Sequence, residues 1–437
     1  MRPLVRALGR CAAAIVLLLM TLPAQAAGPL GHREVLPDGA VLLVAERPAI
    51  PIVVVRVSVP AGAVRDPADG LGLANLTAEL ITRGTARRSG PELDRAIEFV
   101  GGSLEADAGR DGATISLSVL KKDLPLGLDL LAEVLLHPSF PVDELGRKVA
   151  DIQAALRRSE QSPETIAGRT LGPLIFPGHP YGRPAAGTIE SVGKLTRDQV
   201  VAFYRLHYRP DGANIVAVGD VTTAEIRQAL RQRLAGWSAP ATALPPIPRP
   251  AATVAAESRQ ISRDLSQTTV LLGRPSIRQD DPDYFPLAVA TYVLGGGSAS
   301  RLYTRVREEK GLAYSVFAAV QPGRYGASYL VSLQTRTDGV TEAVRLVREE
   351  MARMGREPVT ARELDLAKSY LIGSFPLRLD TSGKLARFLG GVEELGLGLD
   401  YPDRYKERIA RVTVADAQRV AAKYLDPSTF SSVMVGK

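Results

Sequence analysis

"KLTRDQVVAFYRLHYRPDGANIVAVGD", Lys194 to Asp220, aligns without a gap to "RVTVADAQRVAAKYLDPSTFSSVMVGK", Arg411 to Lys437. Thr196 meets Thr413, Pro210 meets Pro427, and Val216, Val218 and Gly219 meet Val433, Val435 and Gly436. The shared positions are the structural ones. In each segment a threonine caps a helix, the helix stops before a proline, and an alternating strand follows. A unit that recurs near the end of each half points to a duplicated chain.

The segment between the halves agrees. "SAPATALPPIPRP", Ser238 to Pro250, holds five prolines in thirteen residues. No helix or central strand tolerates that density, so it reads as an extended, hinge-like linker. Strand patterns cover Val41–Ala45, Ile52–Val59, Ala113–Leu120, Thr269–Leu272 and Ala327–Leu333. Helical patterns cover Gly72–Thr82, Pro91–Val100, Leu126–Leu136, Val142–Arg158 and Val340–Met354. The expected fold is α+β: two homologous domains, 27–237 and 251–437, each a mostly antiparallel sheet with helices packed on one face.

The N-terminus carries an export pattern. Arg2, Arg6 and Arg10 precede an apolar run from Ala12 to Leu22, and Ala24-Gln25-Ala26 supplies a small-x-small cleavage site. The run is short for a bilayer span, although an uncleaved anchor is the alternative. Cleavage after residue 26 removes Cys11, the one cysteine, and with it disulfides, thiol catalysis and cysteine-bound metal. An exported chain of this size without disulfides suits a bacterial periplasm. The loss of three arginines and no acid lowers the formal charge from +7 to +4. With few aromatics and no basic blocks, this does not indicate nucleic-acid binding.

Candidate chemistry is sparse. The four histidines, His32, His137, His179 and His207, include no pair three or four residues apart, so they read as loop and packing residues. No G-x-S-x-G is present, and "GGGSAS", Gly295 to Ser300, is followed by Arg301-Leu302 where a phosphate loop needs G-K-[ST]. The sharpest feature is "GGGSASRLYTRVREEKGLAYSV", Gly295 to Val316. It predicts a helix from about Ala299 to Glu309 ending at Gly311. Arg307 falls on its last turn, and Tyr314, seven residues on, begins a strand. A rigid guanidinium and a phenol can together grip peptide carbonyls or a developing oxyanion. The competing reading is a surface arginine paired with Glu308 or Glu309, and a buried tyrosine.

"GLANLTAELITRGT", Gly72 to Thr85, stands where pitrilysin/insulinase-type zinc peptidases carry G-L-A-H-x-x-E-H-x-x-x-x-G-T. The chain resembles that family, which includes mitochondrial processing peptidase, over nearly all of its length after residue 26. "FVGGSLEADAGRDGATISLSV", "LLAEVLLHPSFPVDEL" and the Gly295–Val316 stretch with its Arg–Tyr spacing all take part. The resemblance implies a half-clamshell of two α+β domains. It places the first zinc histidine on Asn75, the general base on Ala78, the second histidine on Glu79 and the distal glutamate pair on Ala154 and Ala155. It also implies that Arg307 and Tyr314 are the substrate-binding arginine and tyrosine. The expectation is a subunit without cofactor of its own, paired with a zinc-bearing paralogous subunit, acting on peptides and having no stable membrane span after signal cleavage. The alternative is an inactive family member serving as a binding or scaffold protein.

Overall fold

The computed structural model describes residues 30–437. The export pattern and its cleavage site therefore lie outside the described residues. Two sheets form the framework. The first contains β1 (His32–Val35), β2 (Val41–Glu46), β3 (Ile52–Val59), β4 (Ser103–Ala108), β5 (Ala113–Leu120) and β6 (Asn214–Gly219), in the order β1-β2-β6-β3-β5-β4. The second contains β7 (Ser258–Ser262), β8 (Gln267–Ser276), β9 (Ala313–Gln321), β10 (Ala327–Arg336) and β11 (Ser431–Gly436), in the order β7-β11-β8-β10-β9. The orders match strand for strand once β1 is set aside. In each sheet one pair is parallel, β2 with β6 and β7 with β11, and the other pairs are antiparallel. The protein is thus two α+β units with mixed, mostly antiparallel sheets.

The repeated segments take equivalent places. Thr196 and Thr413 cap the helices Arg197–His207 and Val414–Tyr424, each closing a reciprocal box with the residue three positions on, Gln199 and Asp416. The strands that follow, β6 and β11, sit inside their sheets. Every residue of β6 is buried. A strand buried on both faces reads as a continuous apolar run, which "NIVAVG" is.

Helices cover both faces because the halves exchange one. On one face of the first sheet, Val53, Val55, Val57 and Val59 join Leu73, Leu76 and Leu80 of the helix Leu73–Ile81 in a core made by that half alone. The opposite face receives the helix Ser382–Glu394 from the second half, which packs on β3 and β6 through buried Leu385, Ala386 and Leu389. In return, the helix Pro163–Ile175 from the first half packs on β8 and β11. Its Ala167, Leu171 and Ile175 share a core with Leu271, Val433 and Val435. Burying each Leu or Ile here contributes about 1.5–3 kcal/mol. Helices confined to one face were expected, and the exchange is what the sequence pattern did not announce. Amphipathic periodicity says that a helix has an apolar side, not which sheet receives it.

The tips of the equivalent hairpins also meet. Asp111, between β4 and β5, accepts the Tyr181 hydroxyl and, at 2.9 Å, the backbone N–H of Arg324 between β9 and β10. Residues 238–257 form neither helix nor strand. They lie as a strap against the body: Arg209 Nη1 donates to Thr242 O at 2.6 Å, and His179 Nε2 lies 2.9 Å from Pro248 O.

Candidate functional site

The helix Leu73–Ile81 begins at Gly72, which has no side chain to cap it and adopts φ +93°. A Cβ there would lie 2.9 Å from both Ala186 O and Val192 Cγ2, so only glycine fits. The cap comes from elsewhere. The buried Asp66 carboxylate accepts from Gly72 N at 2.7 Å and Ala74 N at 2.8 Å. Burial pushes its pKa up to about 7, against the pull of those N–H groups and Arg183. Beyond the helix, Arg83 grips Asp94 with two hydrogen bonds of 2.9 and 3.1 Å. Thr85 and Arg88 both bond the buried Glu133 carboxylate. Each of these ties holds the frame of the helix.

On that frame, Asn75 and Glu79 are half-buried and Ala78 is buried. The helix Val142–Ser159 packs against it and presents Ala154 half-buried and Ala155 exposed. From that same helix the Lys148 ammonium reaches Glu79 at 2.9 Å. The zinc implied by the fold family needs about three ligands from His, Cys or carboxylate. The residues offer one amide, methyl groups, and one carboxylate already occupied by a lysine cation. Among the described residues no three His, Cys, Asp or Glu side chains cluster to hold a metal. The donor set does not fit zinc.

Arg307 and Tyr314 lie in the second half. The expected α-helix from Ala299 to Glu309 gives way to a π-helical stretch, Tyr303–Glu309, closed by Gly311 at φ +60°. The stretch closes with Gly311 N on Arg307 O and with Leu312 N reaching back six residues to Val306 O at 3.0 Å. The Arg307 guanidinium is exposed and lies over the Tyr303 ring, 4.7 Å from its centroid. Glu309 does not pair with it but with Arg305, at 3.2 Å. Tyr314 is the second residue of β9 and is 69% exposed. The competing arrangement, an ion-paired arginine and a buried tyrosine, is therefore absent here. Strand β9 is a sheet edge, and its Ser315 and Phe317 line a cavity of about 470 Å³ beneath the exchanged helix Pro163–Ile175. The structure gathers Glu79 with Lys148 at one place and Arg307 with Tyr303 at another. No hydrogen bond joins the two places among the described residues.

His137 and His179 stand in turns beyond helices and His207 is a packing residue, whereas His32 is an exposed residue of strand β1. His207 is buried against Phe203, 4.4 Å between ring centroids, and burial with the charges of Arg65 and Arg209 lowers its pKa to about 4. Sequence reading missed Asp66 and Lys148. Asp66 is a cap that lies outside the usual cap position and leaves no local signature. Lys148 had a signal: it lies seven residues before Ala155, two turns along one helix face.

Residues 41–189 match the family model described as insulinase (peptidase family M16), and residues 194–371 match the peptidase M16 inactive domain. A protein of Mycobacterium bovis named an uncharacterized zinc protease is 30% identical over 415 residues, covering 92% of each chain. A non-peptidase homolog of Helicobacter pylori is 26% identical, covering 92% of this chain and 93% of its own. The crystal structure of a peptidase M16 inactive domain from Pseudomonas fluorescens is similar with a TM-score of 0.88 and 28% identity, over 93% of this chain and 97% of that one. With both halves matched in order and the relatives aligned nearly end to end, the chain belongs to peptidase family M16, the insulinase family.

Proposed function

We propose that the chain is the non-zinc-binding, substrate-holding subunit of an exported heterodimeric M16 metallopeptidase, which works with a zinc-bearing paralogue. One observation carries the reading. The side chains of Arg307 and Tyr314 are exposed and make no hydrogen bond or ion pair among the described residues, with Tyr314 on the open edge strand β9, whereas the zinc-helix positions hold Asn75, Ala78 and a Glu79 tied to Lys148. An extended peptide can add to the free edge of β9 through main-chain hydrogen bonds. Arg307 and Tyr314 then meet its carbonyl oxygens while the paralogue supplies the hydrolytic centre. Neither donor needs to change protonation to do so. The export pattern at residues 2–26 supports assembly in a bacterial periplasm.

The test is reconstitution. Co-expressed with a zinc-bearing paralogue, the chain should co-purify with it, and peptidase activity should need both. Arg307→Ala with Tyr314→Phe should leave the pair assembled and slow turnover; removal of one such donor costs about 2.7–4 kcal/mol in the transition state. Unchanged turnover in the assembled double variant would remove the assigned role. The naming of the Helicobacter relative as a non-peptidase homolog favours a second reading, a binding or scaffold protein outside proteolysis. That reading predicts a partner but no peptidase activity in any mixture.

A further inference from the structure

Each sheet has a cavity on the face that receives the exchanged helix, and the repeat makes the two equivalent. The first, of about 470 Å³, lies between the helix Pro163–Ile175 and β8–β10; the second, of about 550 Å³, lies between the first turns of the helix Ser382–Glu394 and β3–β5. Each serves as an internal control for the other. The cavity against the second sheet has hydroxyl, amide and apolar walls, with one arginine, Arg110, and one glutamate, Glu164. The cavity against the first sheet is lined by three arginines, Arg47, Arg56 and Arg387. Its one acid, Asp380, is occupied by Lys384 at 2.9 Å. The common architecture therefore does not require the arginines.

None of the three arginines forms an ion pair among the described residues. Arg47 donates to Leu379 O at 3.3 Å, and Arg56 donates to Ser116 Oγ at 3.0 Å. Burial, with Arg387 nearby, lowers the pKa of Arg56 despite the pull of Asp107 and Glu394. The remaining walls mix apolar Ile52, Val54 and Leu117 with the hydroxyls of Ser116, Ser118 and Thr381. Edge strand β4 borders the cavity through Ser103, so an extended chain added to β4 would run past its mouth. Glu105 and Asp107 lie further along β4, outside the lining, and Asp107 partly offsets the charge of Arg56 from there.

We propose that this cavity binds a carboxylate carried by a peptide, held by Arg47, Arg56 and Arg387 through charge-assisted hydrogen bonds. The choice of a peptide as carrier rests on the proposed function; the choice of a carboxylate rests on the arginines. Guanidinium forks match carboxylate geometry, and three of them in a walled cavity outweigh one neutralised aspartate. The carboxylate can come from a chain terminus or from an acidic side chain.

Calorimetric titration of the full chain with three peptides tests this. They are acetyl-Ala-Leu-Val-Leu-Ala with a free C-terminus, the same peptide amidated, and an amidated version ending in glutamate. Either carboxylate-bearing peptide should bind about tenfold or more tightly than the neutral amide. The stronger of the two identifies the source as terminus or side chain. The partly exposed Arg47→Gln and Arg387→Gln changes, made together, should erase the preference while the melting temperature stays in place. Equal affinity for all three peptides, no binding by any, or a preference that survives the double change would overturn the proposal. The titration needs no paralogue. An arginine-dependent preference without peptidase activity in reconstituted mixtures would keep the cavity assignment and remove the subunit reading; active mixtures without the preference would do the reverse.

Discussion

Glu79 and Lys148 form an ion pair of 2.9 Å across the two helices on which the family's zinc ligands would sit. The lysine ammonium neutralises the one carboxylate left there, so the site carries its own cation. Zinc added in excess should therefore leave the melting temperature of the chain unmoved, because a ligand stabilises only a state that binds it. A rise in melting temperature that a chelator reverses would contradict this. The pair is partly exposed, so Lys148→Ala should change stability by no more than about 1 kcal/mol.

The exchanged helices make each half depend on the other. Leu171→Ala, in a helix of the first half, should cost about 2–5 kcal/mol. Its loss of protection in hydrogen exchange should fall on β8 and β11 in the second half, where Leu171 packs. Leu389→Ala should act in the opposite direction, on β3 and β6. Protection lost only within the mutated half would refute the coupling.

Asp66 makes stability depend on pH near neutrality. Its pKa of about 7 in the fold stands above its ordinary value of 3.8, with burial as the main cause. A raised pKa means that the folded state holds the proton more tightly. The stability from this group is complete below about pH 4 and is lost as pH rises through about 7. Urea midpoints for the native chain, referenced to Asp66→Asn, should fall across that window. A flat difference would show that the carboxylate is held ionised by the helix N–H groups.

Asp283 works with the opposite sign. Burial opposes ionisation, but Arg419 at 2.7 Å, Lys423 at 3.1 Å and the Tyr424 hydroxyl at 2.9 Å hold its pKa down to about 2. Its contribution is present above about pH 4 and disappears as pH falls through about 2. Asp283→Asn should destabilise the chain at neutral pH, and native and variant curves should converge in acid. The contacts join the helix Tyr284–Gly295 to the helix Val414–Tyr424, so loosening should be greatest at the C-terminal end.

Much of the framework was legible because it is written locally. Thr196 and Thr413 announce helix starts by a side chain that reaches three residues, and the alternation in β5 reports one buried face. Strand β4 was not legible: "SLEADA" sits at a sheet edge with little burial, so it lacks the apolar alternation that marks a strand. The π-helical turn at Arg307 was read as ordinary α-helix, since one widened turn leaves the spacing of apolar residues nearly intact. In the candidate site, the resemblance located Asn75, Ala78 and Glu79, but the partner of Glu79 depends on how two helices 69 residues apart in sequence pack. The cavity arginines were illegible for the same reason. Arg47, Arg56 and Arg387 belong to separate stretches, and only the helix exchange brings the third over the first two.

That exchange also bears on ancestry. A half-length chain with this topology would leave one face of its sheet bare and one amphipathic helix without a floor, and a second copy could satisfy both at once. Such chains would have lived as intertwined pairs before their genes were joined. The strap at residues 238–257 then marks the seam where two ancestral polypeptides became one, and the three arginines of one cavity against a single arginine in the other fit copies that drifted apart afterwards.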